Sequence, residues 1–246
     1  MPRYMLILEF DGGPFVGWQR QENGVSVQVA LEEAAFRFSG ERVTAYSAGR
    51  TDAGVHALAM PAHFDLEKDA DPGVVRDAIN HHLKPAPIAV LSAARVVGDF
   101  HTRHSATRRH YRYRLINRRA PLTLEAGRAW RLSPPLDAAA MHEAAQVLVG
   151  KHDFTTFRAS TCQATTPVKT LSSILAARQG DEIRIEASAR SFLHHQVRSM
   201  VGSLVEVGLG RWSAGDFADA FRAADRRRCG QVAPAEGLYF LGADYD

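Results

Sequence analysis

The sequence predicts an α+β fold built from two similar halves, each with a mixed, mainly antiparallel sheet and helices on one face. Three observations support this prediction. The chain has 246 residues, enough for one large domain or two of ordinary size. Apolar residues recur with the two-residue period of strands in some segments and with helical spacing in others. The order strand, helix, strand, strand, helix, strand occurs in the first half of the chain and again in the second.

Local signals mark each element of the first half. A strand over residues 3–10 ends at a turn rich in glycine and proline. Ser26 is expected to cap a helix, because its hydroxyl can accept a backbone N–H of the first turn. Asp71 and Pro72 open a second helix that reaches about residue 83, with proline at its first position. The other predicted elements of this half are strands at residues 42–48, 58–66 and 88–97.

The second half shows the same kinds of signal. A strand near residues 106–116 places Arg109, Tyr111 and Tyr113 on one face. Asp137 is expected to cap a helix that continues to residue 149 and is stopped by a glycine. The remaining predicted elements are strands near 168–178, 182–190 and 237–244 and helices near 194–208 and 214–224. The proline-containing stretch 117–136 connects the halves, and we expect domains at residues 1–104 and 105–246, with the loop of the candidate acid in the first.

Positive charge is concentrated in one stretch of the chain. The net charge is only +3, but residues 100–119 contain seven arginines, three histidines and no acidic residue. Tyr111 and Tyr113 lie among them. This composition favours a surface that binds nucleic acid, because cations displace counterions and flat rings stack on bases. A solvated basic face without a ligand is the alternative. The candidates for phosphate contact in this stretch are Arg103, Arg108 and Arg109.

Composition excludes several other classes of protein. No apolar stretch approaches the roughly 20 residues that span a bilayer. The first residues lack the apolar core of a signal peptide, so a cytoplasmic location is expected. The two cysteines, Cys162 and Cys229, occur without CxxC or paired Cys/His spacing. We therefore expect two free thiols and no zinc site, with a disulfide as the alternative.

One loop carries the best catalytic candidate. The run Gly49-Arg50-Thr51-Asp52-Ala53-Gly54-Val55-His56-Ala57 lies between two predicted strands and places an acid between glycines. Glycines permit a sharp turn that holds a carboxylate in an exposed position. An ordinary surface turn would have the same local composition, so local chemistry alone leaves both interpretations open.

This run resembles, without a substitution, the catalytic motif of the tRNA pseudouridine synthase A family. Further matching segments follow in the family's order over nearly the whole chain. They are Phe10-Asp11-Gly12 with Phe15, Gly17-Trp18-Gln19 and Gln21; Phe100-His101, Arg103, Ser105-Ala106 and Tyr111-Arg112-Tyr113; Phe154-Thr155, Phe157 and Arg158; Phe192, His194-His195, Val197-Arg198 and Val201-Gly202; and Glu236-Gly237-Leu238-Tyr239. One departure is Gln196, where the family often has methionine, and it bears on local packing.

The resemblance implies the pseudouridine synthase fold, with an active-site cleft between the two halves. It implies an isomerase that converts uridine to pseudouridine at positions 38, 39 and 40 of the tRNA anticodon stem-loop. Asp52 would be catalytic, Tyr111 would stack on the uracil, and Arg198 would keep the carboxylate ionised. From their own chemistry, Arg50 is a further candidate for substrate binding through a phosphate, and His194 is a candidate for RNA contact, with packing as the alternative and a metal site disfavoured. A homodimer that binds tRNA is also implied.

The reaction explains why neither a cofactor nor a metal is expected. Uridine and pseudouridine have the same atoms, since the bond to N1 is broken and the ring is rejoined through C5. A carboxylate must add to the sugar, add to the ring or act as a base at C2′, and the residues leave these three roles open. A non-catalytic RNA-binding protein is the alternative from another class. A hydrolase with an aspartate nucleophile would need a second acid or a water-activating base beside Asp52.

Overall fold

The computed structural model describes every residue from Met1 to Asp246. It contains ten β-strands and five α-helices, and the α+β prediction is confirmed. β1 with β3 and β4, β2 with β3, and β8 with β7 and β9 pair antiparallel, whereas β10 with β3 and β6 with β5 pair parallel. None of the helices combines the length and the apolar content needed to cross a membrane.

The chain forms two compact units. The first consists of Met1–Arg109 and Tyr239–Asp246, and the second of His110–Leu238. The sequence predicted a boundary after residue 104 and assigned all later residues to one domain. The structure instead divides the chain after Arg109, and the last residues of the chain, Tyr239–Asp246, belong to the first unit. The physical reason is the last strand, β10 (Leu238–Tyr245), which pairs with a strand of the first unit.

The first unit is built around its first strand. Its elements are β1 (Arg3–Phe10), α1 (Val27–Ser39), β2 (Tyr46–Ser47), β3 (His56–Asp65), α2 (Pro72–Leu83), β4 (Ile88–Val96) and β10. β1 lies between β4 and β3 with antiparallel pairing on both sides, β2 is antiparallel to β3, and β10 is parallel to β3. Alternate side chains of β1, Tyr4, Leu6 and Leu8, are fully buried, as a strand with one face in the core requires.

Both predicted helix caps of this unit are confirmed. The Ser26 hydroxyl accepts the Val29 N–H at 3.2 Å, and the Asp71 carboxylate accepts the Gly73 N–H at 2.8 Å. Each cap satisfies a donor that has no partner within its own helix. α2 packs against α1 and β4.

The second unit has a sheet in the order β5-β9-β8-β7, with β6 parallel to β5. Its elements are β5 (Ala106–Asn117), which begins in the first unit, β6 (Trp130–Leu132), α3 (Ala138–Ala145), β7 (Gly150–Asp153), β8 (Val168–Gln179), β9 (Glu182–Ala189), α4 (Gln196–Gly208) and α5 (Ala214–Arg222). α3 packs on β8, α4 and α5. α4 contributes the fully buried side chains Met200, Val201 and Leu204 to the core.

Several boundaries differ from the prediction. The strand predicted at 42–48 is reduced to two residues, β2. β6 and β7 were not predicted, and both are short strands that are defined by pairing with a neighbour. α3 ends at Ala145 and continues as a 3₁₀ turn. α4 begins at Gln196, two residues later than predicted, because His195 adopts a left-handed conformation with φ 61° that a right-handed helix cannot include.

Candidate active site

The Asp52 loop connects β2 and β3 in the first unit. Asp52 is half-buried, and Gly54 has a positive φ of 78° that glycine adopts without strain. The backbone is fixed on both sides of the carboxylate. The Trp18 N–H donates to the Thr51 carbonyl oxygen at 3.0 Å, and the Val55 N–H donates to the Asp52 carbonyl oxygen at 3.2 Å. The loop therefore presents the carboxylate from a defined backbone position.

Two glycines of the preceding loop allow its backbone to touch the Asp52 loop. Gly17 has φ +105°, and a Cβ there would lie 2.4 Å from the Thr51 carbonyl oxygen. A Cβ on Gly12 would lie 2.0 Å from the Val55 carbonyl oxygen. Both distances are far below a van der Waals contact, so no other residue fits without moving the loop. The glycines in the opening matched segment thus have a direct packing role.

His56 ties the end of the motif to the same neighbouring loop. Its buried ring accepts the Gly12 N–H on Nδ1 at 3.0 Å. The ring also stacks on Tyr239 of β10, with centroids 4.7 Å apart and an interplanar angle of 24°. These contacts give His56 a positioning role in the first unit.

The predicted aromatic residue lies in the second unit on β5. Tyr111 is half-buried, and its ring makes a T-shaped contact with Phe192 at a centroid distance of 5.1 Å and an angle of 84°. Tyr113, two residues further along, is fully buried and donates its hydroxyl to the Pro234 carbonyl oxygen at 2.7 Å. Burial raises the pKa of the Tyr113 hydroxyl. Tyr113 therefore fills a core position, and the Tyr111 ring is the more accessible of the two.

Arg198 is in the first turn of α4, also in the second unit. Its Nε donates to the Ala233 carbonyl oxygen at 2.8 Å, and the Ala233 N–H donates to the Arg198 carbonyl oxygen at 3.1 Å. This reciprocal pair fixes the direction of the side chain. His194, just before the helix, is exposed, and its Nδ1 lies 3.3 Å from the Thr161 hydroxyl.

Arg109 has an internal role that the sequence did not reveal. It is 8% exposed, and its guanidinium donates to the carbonyl oxygens of Ala48 at 3.1 Å and Ala106 at 3.0 Å. A further N–H donates to the Arg103 carbonyl oxygen. Because these donors are buried and engaged, Arg109 is removed from the candidates for phosphate contact. It instead fixes the backbone next to the Asp52 loop.

The rest of the basic stretch divides into two parts. Arg112 pairs with Glu186 at 2.7 Å, and Arg114 pairs with Glu182 at the same distance. These acids lie on β9, the neighbour of β5 in the sheet, so the stretch is acid-free only in the sequence. Arg103 and Arg108 are exposed, and the structure shows no ion pair to either. They remain candidates for binding a polyanion.

Two of the predicted residues line one pocket of the first unit. Arg50 and Arg103 share it with Trp18, Tyr46 and His101. Those last three were not predicted as site residues. Trp18 and His101 stand in the matched segments, which is the signal that identifies them, whereas nothing in the local sequence distinguishes Tyr46.

Comparison with known proteins assigns the family. A family model described as tRNA pseudouridine synthase matches residues 144–246. A protein named tRNA pseudouridine synthase A from Maricaulis maris is 63% identical over 245 residues, covering 100% of this chain and 98% of its own. Proteins of the same name from Beijerinckia indica and Rhodospirillum centenum are each 61% identical over 245 residues and 100% of this chain, covering 94% and 100% of their own lengths. The chain therefore belongs to the tRNA pseudouridine synthase A family.

Proposed function

We propose that this chain isomerises uridine to pseudouridine in tRNA and that Asp52 is its catalytic residue. The observation that supports this most directly is the unbroken Gly49–Ala57 motif on a loop whose backbone is fixed by Gly12 and Gly17. Relatives over 60% identical across the full chain carry the name of this activity. A rigid loop favours catalysis, because a carboxylate held in place need not be ordered during the reaction.

We propose that Tyr111 and Arg198 bind the target uridine. A base that leaves its stack loses its neighbours, and an aromatic side chain replaces that contact at about 1–3 kcal/mol per base. The Tyr111 ring is half-buried and backed by Phe192, which suits such a role. Arg198 supplies a cation whose direction is fixed by Ala233.

The finer assignment follows from the family resemblance. We propose that the target uridines are at positions 38, 39 and 40 of the anticodon stem-loop, and that Arg50, Arg103, Arg108 and His194 contact the RNA. A homodimer in the cytoplasm is proposed on the same basis. Sedimentation of the protein with and without tRNA tests the oligomeric state.

The decisive experiment removes the Asp52 carboxylate. Asp52→Asn and Asp52→Ala are expected to reduce pseudouridine formation by more than about a hundredfold, the effect typical of losing a catalytic acid or base. Affinity for unmodified tRNA should stay within about twofold. The measurements are tritium release from RNA labelled at C5 and chemical mapping of pseudouridine.

Asp99→Asn is the matched control, because Asp99 is an exposed acid of the same unit. It should retain wild-type turnover. Normal turnover in Asp52→Asn would contradict the role of Asp52. Tight tRNA binding by the wild type without any tritium release would instead favour the non-catalytic RNA-binding alternative.

A further inference from the structure

We infer that the first unit contains a separate nucleotide-binding pocket, beside the Asp52 loop, for an unpaired nucleotide next to the target uridine. The inference rests on the proposed function. The pocket has a volume of about 150 Å³, and its walls include Trp18, Tyr46, Arg50, His101 and Arg103. Four features support it: its charge, its exposed ring, its rigid walls and its position.

The charge of the pocket favours an anion. Arg50 and Arg103 are both exposed, and the structure shows no ion pair to either guanidinium. No aspartate or glutamate lines the pocket. Guanidinium groups without a competing carboxylate bind phosphate oxygens through charge-assisted hydrogen bonds. Phosphodiester groups of the RNA are the anions that the proposed function would bring to this surface.

Tyr46 supplies a surface on which a base can stack. Tyr46 is 47% exposed, although its ring stacks on His63 at a centroid distance of 5.2 Å and an angle of 21°. Burial lowers the pKa of His63 to about 4, so the supporting imidazole is neutral at pH 7. An exposed ring that is held from behind is the usual platform for a base of single-stranded RNA.

Internal hydrogen bonds hold the pocket walls in place. The Thr102 hydroxyl donates to the Tyr46 carbonyl oxygen at 3.2 Å. The Gln28 side-chain amide donates to the Ala45 carbonyl oxygen at 3.2 Å. The buried Arg109 donates to the carbonyl oxygen of Arg103. Because these walls are already ordered, a ligand loses little affinity to ordering them.

The position of the pocket separates its ligand from the target uridine. Arg50 lines the pocket, but Asp52, two residues further along the loop, does not. Because the uracil that reacts must reach Asp52, we assign the base in this pocket to a neighbouring nucleotide. The volume is below the roughly 300–1,000 Å³ of pockets for drug-sized ligands and suits one base or one sugar-phosphate group.

Two pairs of variants test the inference on an unmodified anticodon stem-loop RNA. Tyr46→Leu removes the ring and should weaken binding about tenfold, whereas Tyr46→Phe keeps the ring and should bind like the wild type. Arg103→Gln should weaken binding about threefold or more and make the salt dependence shallower by about one charge. Arg76→Gln, at a partly exposed arginine of α2 that pairs with Asp77, is the control for the loss of one positive charge outside the pocket. Urea unfolding checks that each variant folds.

The rate of pseudouridine formation separates binding from chemistry. In single turnovers at saturating RNA, the rates of Tyr46→Leu and Arg103→Gln should fall by a smaller factor than their affinities for RNA. A Tyr46→Leu variant that binds normally but reacts slowly would overturn the inference. A wild-type protein that forms no pseudouridine would contradict the proposed function, and the binding measurements would still test the pocket.

A set of RNAs, each with one abasic nucleotide beside the target, identifies the occupant. Removal of the correct base should weaken binding to the wild type about tenfold but should cause no further loss in Tyr46→Leu, because both changes delete the same contact. Strict additivity at every position would overturn the inference.

Discussion

In each unit, glycines near a candidate site residue allow the backbone of another segment to pack against them. The glycines of the two units lie in different kinds of secondary structure. In the first unit Gly12 and Gly17 lie in a loop and touch the carbonyl groups of the Asp52 loop. In the second unit Gly202 lies within α4, and a Cβ there would lie 1.5 Å from the Gln231 carbonyl oxygen. A glycine in a turn is a familiar sequence signal, whereas a glycine in a helix usually indicates only a weak helix residue. Close approach of another backbone segment therefore explains the glycines of the loop and the glycine of the helix alike.

The largest expected effect comes from Gly202→Ala. Alanine favours a helix over glycine by about 1 kcal/mol, but here its methyl group would meet backbone that cannot rotate away. We expect the free energy of unfolding to fall by about 3 kcal/mol or more. The loop that carries Ala233, the partner of Arg198, should move with it.

Urea unfolding measures this effect, and Gly98→Ala is the control, since a Cβ at Gly98 would meet nothing within 4 Å. The control should stay within about 0.5 kcal/mol of the wild type. A Gly202→Ala protein as stable as the wild type would show that helix propensity dominates and would break the comparison between the two units.

The sequence predicts the long elements of this fold well, because their signals are local. β1 and α2 have the predicted bounds, and β5 differs by one residue. β6 and β7 have only three and four residues, too few for a two-residue period to appear. They exist because a neighbouring strand offers hydrogen bonds, which a single segment of sequence does not reveal.

The residues of the candidate site likewise divide into those that have a local sequence signal and those whose role depends on distant contacts. Asp52 and its glycines form a contiguous motif and could be recognised directly. The burial of Arg109 and the pairing of Arg112 with Glu186 depend on residues more than 60 positions away in the chain, so the basic stretch appeared uniformly available for RNA. Charged residues in a sequence are therefore candidates for RNA binding. Pairing with a neighbouring strand determines which of them are already engaged in ion pairs or internal hydrogen bonds.

A second prediction concerns pH and the first unit. Burial, together with the charges of His101 and Arg3, lowers the pKa of His63 to about 4 from the ordinary 6.5. The unfolded chain then binds more protons than the folded one between these values. Stability should be complete above pH 6.5 and fall as the pH falls toward 4, by at most about 1.4 kcal/mol per pH unit. His63→Gln should flatten this slope.

Hydrogen exchange at pH 7, 6 and 5 measures the effect in each unit separately. His81→Gln removes an exposed histidine of the same unit and serves as the control. If the stability of His63→Gln still falls between pH 6.5 and 4, groups other than His63 cause the pH dependence. A loss of protection confined to the second unit would contradict the prediction.

The smallest expected effect concerns one buried polar atom in each unit. The Thr51 hydroxyl, next to Asp52, and the Gln196 amide nitrogen, next to His195, are buried without a hydrogen-bond partner. Leaving such a group unpaired costs about 1–3 kcal/mol. Thr51→Val keeps the shape and removes the hydroxyl, so it should raise the free energy of unfolding by up to about 1 kcal/mol.

Gln196 should respond differently, because its side-chain oxygen accepts the Leu193 N–H at 2.8 Å. Gln196→Met removes the unpaired amide nitrogen but also this acceptor, so it should not stabilise the protein. Urea unfolding compares the two variants, with Thr51→Ser as the control that keeps the hydroxyl. A Thr51→Val protein less stable than Thr51→Ser would show that the hydroxyl has a partner. Equal gains in both variants would show that the Gln196 side-chain oxygen contributes nothing, and the turn would then be held by the backbone hydrogen bond from the Gln196 N–H to the Leu193 carbonyl oxygen.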